Sequence, residues 1–440
     1  MLGSGYFTRL VAAVLVAAIL GAVIIKPHAG RDAVERLAAS APAPLAGRAC
    51  AAGEAPLSGG FAPLDDVLSV SPLGAVTAPG EPLPTPYIRI NTRKADTVFQ
   101  RRKTTALAPA RADITAIERR IDRDTDGKAA AISWTLHFTV CDRISFYYDR
   151  LDDIDESILR RAGGLKGFTE LGGPDHLASM TRIRVRAGEV VGFADGFDIG
   201  LHDQSAPPAQ MARPERYRPN PYQHAAVFDT SPSLVAAITP DQARARCAID
   251  YLPRATQPAW AEKLGDAWGM RRAKGENACR TALVDAPGTA QGAWFTDASH
   301  NALTNKVTAI ALAPDSVDPE RLIFSLHGKL ASLTPDMIAL APTLEDERAA
   351  AARDFLTFDK GDSARINAAF DAVGENETYC YERLRANFVG PKINGVVLLR
   401  IDNTDAGAPL MKIEALKQAF TCRDVEEPWA FTGNETTFYR

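Results

Sequence analysis

Three histidines within residues 64–204 could do chemistry, because a neutral imidazole can bind a metal ion or transfer a proton near neutral pH. They are His137, His176 and His202, and the last two stand beside carboxylates in Asp175-His176 and His202-Asp203. Zinc needs three or four donor atoms that converge on one point. The sequence has no His-Glu-x-x-His spacing, which would place two ligands on one helix face. The pattern therefore favours histidines with ordinary hydrogen-bond partners over a metal site.

Other catalytic motifs are missing from the sequence. It has no Gly-x-Ser-x-Gly elbow, phosphate-binding loop or dinucleotide fingerprint at a strand–helix junction. The segment Asp285–Trp294 reads as a Pro-Gly turn that leads into a strand anchored by its tryptophan. The alternative is that Gly292 lets the backbone approach a ligand closely. The pattern favours the turn.

Composition indicates a folded protein that is not a dedicated nucleic-acid binder. The 440 residues include 50 Lys+Arg and 54 Asp+Glu, which gives a formal net charge of −4, and 46% are hydrophobic. A chain of this hydrophobicity can bury a core. Nucleic-acid binders usually concentrate basic residues, so no nucleic-acid partner is expected. The length suggests two or three domains.

The first 26 residues resemble an export signal. The run Leu10–Ile25 contains no charged residue and lies between Arg9 and Lys26. Its length falls between a signal-peptide core and a full membrane span. A small-x-small cleavage site does not follow closely, so an uncleaved signal anchor is favoured over a removed signal peptide. We therefore expect an N-terminal apolar helix in the membrane and an extracytoplasmic chain beyond it.

Six cysteines agree with an oxidising compartment. Their number is even, and they form neither a Cys-x-x-Cys motif nor a zinc-finger pattern. Six cysteines allow 15 connectivities, so spacing alone cannot assign the pairs. Pairing of neighbours along the chain predicts Cys247–Cys279 and Cys380–Cys422. Cys50 and Cys141 are left as a looser pair, with a buried free thiol as the alternative for Cys141.

Composition shifts divide the chain into segments. An Ala/Pro/Gly-rich spacer covers residues 27–63, and a Pro-rich stretch at residues 205–222 is a candidate linker. Residues 64–204 between them carry strand-like runs such as Ile132–Val140 and Ile144–Tyr148, which predict an antiparallel β domain. Residues 223–440 mix strand-like runs, including Val396–Ile401, with helical spacing at Trp260, Leu264 and Trp268. Similar spacing at Ile366, Phe370 and Val373 follows a possible Ser363 cap, so this part is predicted to be a disulfide-braced α+β domain.

Five short motifs follow one another within residues 64–204. They are Pro72-Leu73-Gly74 with Pro79-Gly80-Glu81 and Pro84-Thr85, then Ala108-Pro109-Ala110, Phe146–Leu151, Val185–Gly192 and Phe197–Gly200. Their order resembles the LytM-like domains of the M23 zinc peptidases, which cut peptidoglycan peptides. The resemblance covers less than half of the chain. It implies a mainly β fold with an antiparallel LytM-like domain.

The resemblance also implies that the zinc ligands of that family are lost. Glu81 and Thr85 stand where the family has its first histidine and its aspartate, and Arg150 replaces the histidine of Tyr-x-His-Leu. Asp198 and Gly200 fall at the closing His-x-His. A guanidinium can neither bind zinc nor accept a proton, and glycine has no side chain. No catalytic residue, metal ion or cofactor is therefore expected.

We expect instead a binding site formed by Glu81, Arg150, Asp198 and His202. Arg150 could hold a carboxylate through its bidentate fork. The resemblance implies a non-catalytic envelope protein that binds a peptidoglycan peptide or regulates an envelope hydrolase. One alternative is a divergent metallopeptidase that uses Glu81, Asp198, His176 and His202. Another is a structural ectodomain without a ligand.

Overall fold

The computed structural model describes most of the chain from Ala49 onward. The described residues are 49–50, 55–76, 83–92, 102–123, 127–209, 211–217, 234, 238–239, 241–275, 278–279, 285–299, 309–325, 355–386, 392–404 and 407–440. The predicted N-terminal helix, most of the spacer at residues 27–63 and part of the linker at residues 205–222 lie outside them.

Antiparallel strands dominate the described residues, which confirms the mainly β prediction. Up to residue 246 they are β1 (Ser69–Ser71), β2 (Ile88–Asn91), β3 (Thr104–Leu107), β4 (Ala112–Arg123), β5 (Ala129–Thr139), β6 (Ile144–Leu151), β7 (Asp153–Ile154), β8 (Thr169–Glu170), β9 (His176–Val185), β10 (Val190–Ala194), β11 (Gly196–Asp203) and β12 (Ala245–Arg246). The later strands are β13 (Gly292–Phe295), β14 (Ala309–Pro314), β15 (Arg321–Ser325), β16 (Phe355–Asp359), β17 (Thr378–Tyr381), β18 (Arg385–Ala386), β19 (Val396–Asn403), β20 (Pro409–Leu416) and β21 (Thr436–Tyr439).

Helices are short in the described part of the chain. The α-helices are α1 (Glu156–Arg161) and α2 (Gln257–Ala261). The 3-10 helices are Leu64–Asp66, Leu165–Gly167, Pro214–Arg216, Gln242–Arg244, Ala248–Tyr251, Phe370–Ala372 and Cys422–Asp424. None of the described helices combines the length and the apolar character that a membrane crossing requires.

The strands form two nine-stranded sheets and one three-stranded sheet. The first large sheet has the order β1-β2-β11-β6-β5-β4-β9-β8, with β12 paired to β11, and the small sheet has the order β3-β10-β7. The second large sheet has the order β17-β19-β20-β21-β13-β14-β15-β16-β18. The motif Val185–Gly192 connects β9 of the first sheet to β10 of the small sheet. It is therefore a strand-turn-strand without a paired hairpin.

Each large sheet has its own apolar core. In the first, alternate residues of β6 and β11 point to one side, where Phe146, Tyr148 and Phe197 are buried. The second core contains Phe324 and Tyr381 among its rings. Residues of 245–279 pack into the first core, and β12 pairs with β11. The segment after the Pro-rich stretch therefore contributes to the first sheet, while the division into domains stays a prediction.

All three disulfides join the cysteines that the sequence paired. Cα–Cα distances are 5.2 Å for Cys50–Cys141, 5.6 Å for Cys247–Cys279 and 5.9 Å for Cys380–Cys422. The alternative of a free thiol at Cys141 is wrong. Structural disulfides form and persist in oxidising compartments. The pairing therefore agrees with an extracytoplasmic location.

The helix predicted behind Ser363 is wrong. The hydroxyl of Ser363 accepts the amides of Arg365 and Ile366 at 3.3 Å, as a cap would, but no α-helix follows. Asn367 adopts φ 52 and hydrogen-bonds the backbone of Glu382, which places this segment alongside β17. Such side-chain bonds offer the backbone an alternative to a helix.

The second predicted helix, at Trp260–Trp268, is shorter than its spacing suggested. Only Gln257–Ala261 is helical. The Asp266 carboxylate accepts the amides of Trp268 and Met270 and so forms a turn. The strands predicted for the α+β part are thus present in the described residues after 223. Of the predicted helices, only the short segment Gln257–Ala261 is present.

Candidate functional site

The side of the first sheet that faces away from the core carries polar side chains in the middle of five neighbouring strands. Strand alternation requires this, since apolar residues of β6 fill the core at every second position. We call this surface the polar face. It comprises Arg89 on β2, Asp198, Gly200 and His202 on β11, Tyr147, Asp149 and Arg150 on β6, Thr135 and His137 on β5, and Glu118 on β4.

A buried ion pair joins β2 to β11. Asp198 and Arg89 are Cα partners, and the guanidinium donates to both carboxylate oxygens, Nε to Oδ1 at 2.6 Å and the second nitrogen to Oδ2 at 2.9 Å. The Asp198 side chain is 1% exposed and that of Arg89 is 18% exposed. Burial raises the pKa of Asp198 to about 6, against the lowering effect of Arg89, and the charge of Asp149 raises it further. This carboxyl group can therefore change its charge near neutral pH.

Arg150 lies beside this pair at a bulge between β5 and β6. The pairing of β5 with β6 shifts by one residue here. Asp149 and Arg150 of β6 therefore both lie opposite the single residue between Trp134 and Leu136 of β5. Arg150 has φ 63, the left-handed conformation that bulges usually give to glycine. The Asp149 carboxylate accepts the Arg150 amide at 2.9 Å and holds the turn. The guanidinium is exposed and has no ion-pair or hydrogen-bond partner among the described residues.

A carboxylate between two imidazoles occupies the other end of the polar face. Glu118 lies 2.7 Å from Nε2 of His137 and 2.8 Å from Nε2 of His176, and Arg120 reaches the same carboxylate at 3.2 Å. Burial alone would raise the pKa of Glu118, but hydrogen bonds from the two histidines and the charge of Arg120 bring it well below its usual range. An ionised carboxylate only accepts, so both imidazoles donate through Nε2. Both Nε2 atoms are therefore engaged in hydrogen bonds with Glu118. The prediction that His137 has an ordinary hydrogen-bond partner is confirmed.

Aromatic packing separates the two charged clusters. The Tyr147 ring lies over Gly200, its cross-strand partner, where any Cβ would overlap it. The same ring stacks on His202 at 5.8 Å between centroids. His202 is 1% exposed, and its Nε2 has no hydrogen-bond partner among the described residues. Burial lowers the pKa of His202 to about 3, helped by the charges of His137 and Arg246, so the ring is neutral.

The structure brings together part of the predicted binding set. Arg150 and Asp198 are neighbours on β6 and β11, and the charge of Arg150 acts on Asp198. His202 lies further along β11, beyond the Tyr147 ring. Thr85 is buried and hydrogen-bonds the backbone of Ala75, which places it outside this group. Glu81 lies outside the described residues.

The alternative hydrolase site does not assemble from its described members. Asp198 is bound to Arg89, and His176 is bound to Glu118. Among the described residues, the only metal-like cluster is Cys50, Cys141 and Asp142. Its two sulfur atoms form a disulfide, and the carboxylate accepts the amide of Cys50 at 3.3 Å. This cluster is a disulfide with its hydrogen-bond partner.

Sequence reasoning missed Arg89 and Glu118. Both stand at outward positions of alternating strands, so the pattern could have placed them on a polar surface. Their partners lie on other strands, 109 residues away in the case of Arg89 and Asp198. No local signal gives that pairing.

The Asp285–Trp294 segment is structural. The amide of Thr289 bonds the carbonyl of Ala286, and Gly288 has φ 72, so the predicted Pro-Gly turn before β13 is present. Gly292 does allow a close approach, but the approaching group is the carboxylate of Asp285. Asp285 in turn pairs with the buried Arg440, whose guanidinium lies 4.0 Å from the Trp294 ring centroid.

Comparison with known proteins gives no relative. No protein-family model, no curated protein and no solved structure matches the chain.

Proposed function

We propose that this chain is an exported, membrane-tethered envelope protein that binds a carboxylate of a peptidoglycan peptide without cutting it. The proposal includes the non-catalytic LytM-like domain that the five motifs suggest. One observation carries it. Arg150 presents an exposed guanidinium from a left-handed bulge position, with no carboxylate partner among the described residues.

The backbone of Arg150 supports a binding role. A left-handed conformation disfavours a residue with a Cβ by roughly 1–2 kcal/mol. Strained residues persist where the surrounding structure holds them, and they cluster at functional sites. Here the carboxylate of Asp149 fixes the turn. The backbone from which the guanidinium projects is therefore fixed, and the planar fork of arginine loses less entropy per hydrogen bond than a flexible ammonium group would.

Two contacts at the closing positions of the motif pattern favour binding over hydrolysis. Both oxygens of the Asp198 carboxylate are hydrogen-bonded by Arg89. The space beside Gly200 is filled by the Tyr147 ring. Neither position offers a free ligand for a catalytic zinc ion.

The test is binding of soluble muropeptides to the purified full-length protein, measured by isothermal titration calorimetry. Arg150→Ala should weaken binding at least tenfold, since it removes the only charged group of the bulge that is available to the ligand. Arg383→Ala is the matched control. Arg383 is also an exposed arginine with positive φ, but it lies in the connection between β17 and β18, far along the chain from the bulge. Wild-type protein without measurable binding, or equal affinities for wild type and Arg150→Ala, would contradict the proposal.

A further inference from the structure

Four charged groups meet at the end of the polar face where Arg150 lies. Arg89 on β2 pairs with Asp198 on β11, and Asp149 on β6 is the direct cross-strand partner of Asp198. Arg150 follows Asp149 in the bulge. Two cations and two carboxylates give a net charge of zero at this end of the sheet. We call these four residues the charge quartet.

Two carboxylates that face each other on adjacent strands repel. In the charge quartet, Arg89 offsets this repulsion by binding both oxygens of Asp198. Asp198 is also the deepest member, at 1% exposure, so water screens its charge least.

A ligand carboxylate at Arg150 would bring a third negative charge to this group. Three carboxylates would then share two guanidinium groups in a partly buried place, where the repulsion is poorly screened. Protonation of Asp198 restores the balance of charge. The raised pKa of Asp198 places this proton uptake within reach near neutral pH.

The charged groups that act on Asp198 come from β2 and β6, and they are Arg89, Asp149 and Arg150. The nearest histidine cluster lies further across the sheet. There His137 and His176 hydrogen-bond Glu118, and Thr135 of β5 bonds Asp149 between the two groups.

We propose that binding of a carboxylate ligand at Arg150 is coupled to the uptake of one proton by Asp198. This inference rests on the proposed function. It adds that the ligand binds more tightly at acidic pH. Because Asp198 binds its proton more tightly in the complex than in the free protein, the affinity for the ligand falls by up to about tenfold per pH unit above pH 6.

The experiment measures the binding of soluble muropeptides to the full-length protein at pH 7.0 in phosphate and in imidazole buffer. These buffers differ in ionisation enthalpy, so the difference in heat gives the number of protons taken up. Wild-type protein should take up close to one proton at pH 7.0 and bind about fivefold more tightly at pH 6 than at pH 7, because about half of Asp198 is already protonated in the free protein at pH 6. Asp198→Asn mimics the protonated carboxyl group, so it should bind without proton uptake and with an affinity that does not change between these pH values.

Asp113→Asn is the matched control. Asp113 is another buried carboxylate of the same sheet, and it pairs with Arg182 and Arg184 at a separate place. It should keep the proton uptake of the wild type. Binding without proton uptake in the wild type overturns this inference and leaves the proposed function intact, whereas absence of binding removes both. Full uptake in Asp198→Asn shows that another group takes the proton. If Asp198→Asn does not fold, the proton uptake of the wild-type protein and the pH dependence of its affinity still test the inference.

Discussion

Replacing Arg150 by glycine should stabilise the fold and abolish ligand binding at the same time. Most substitutions that remove a functional group leave stability unchanged or lower it. Arg150 differs because its own backbone is strained, with φ 63 at a bulge position. Glycine adopts this conformation without a steric penalty. The amide that bonds Asp149 is kept in the variant.

The magnitude follows from two opposing terms. Removing the left-handed strain contributes roughly 1–2 kcal/mol in favour of Arg150→Gly. The greater freedom of glycine in the unfolded chain opposes it by roughly 0.5–1 kcal/mol. The net gain is about 0.5–1 kcal/mol. For a folded unit of about 150–250 residues, this raises Tm by roughly 1–4 °C.

Denaturant unfolding and muropeptide titration of the same samples test both halves of the prediction. Arg150→Ala removes the cation and keeps the strain, so it should lose binding without a gain in stability. Arg383→Gly removes a comparable strain at φ 59 in the connection between β17 and β18, so it should gain stability and keep binding.

Two results would refute the reasoning. A drop in stability for Arg150→Gly would show that the arginine side chain supports the bulge, so that its conformation is not a strain held for function. Undiminished binding by Arg150→Gly would show that the ligand does not use the guanidinium.

Three further predictions concern the polar face and the second sheet. Gly200→Ala forces a methyl group into the Tyr147 ring and should lower the free energy of unfolding by about 1–3 kcal/mol in denaturant titrations; unchanged stability would mean that the ring moves away freely. The double variant Cys380→Ser, Cys422→Ser removes a disulfide between residues 42 apart and should lower the free energy of unfolding by about 2–4 kcal/mol in the same assay. No change would show that packing alone stabilises this part of the fold without the disulfide. His202 has its pKa lowered to about 3 in the folded state, so the unfolded chain binds its proton first and the stability due to the neutral ring is lost as pH falls below about 6.5. His202→Phe keeps the stacked ring without a titrating group and should remove roughly 2 kcal/mol of the pH dependence between pH 6.5 and 4.5, whereas parallel profiles would contradict the buried, neutral state.

The strands were predictable because their signal is local. Alternation of apolar and polar residues in Ile144–Tyr148 predicted β6, and the same pattern places Tyr147 outward. The cysteine pairs followed from proximity along the chain. Both kinds of signal need only neighbouring residues, so one sequence suffices to read them.

The site was only partly predictable because its geometry is long-range. Arg150 and Asp198 were singled out by their place in the motif pattern. Their proximity depends on the register between β6 and β11, which is set by packing of the whole sheet. The partner Arg89 comes from a third strand. The helix expected at Ile366–Val373 failed for a related reason, since the amide of Asn367 bonds the carbonyl of Cys380 in β17, a long-range partner that periodicity does not reveal.

Two features near one another on the polar face oppose stability, and this argues for function. A buried ion pair such as Asp198–Arg89 often contributes no more than apolar residues of the same volume, because both charges lose their water. The left-handed Arg150 adds strain beside it. A sheet selected for stability alone would place apolar residues and a glycine at these positions. Their occurrence together, around a guanidinium without a partner among the described residues, is the arrangement that a carboxylate ligand would complete.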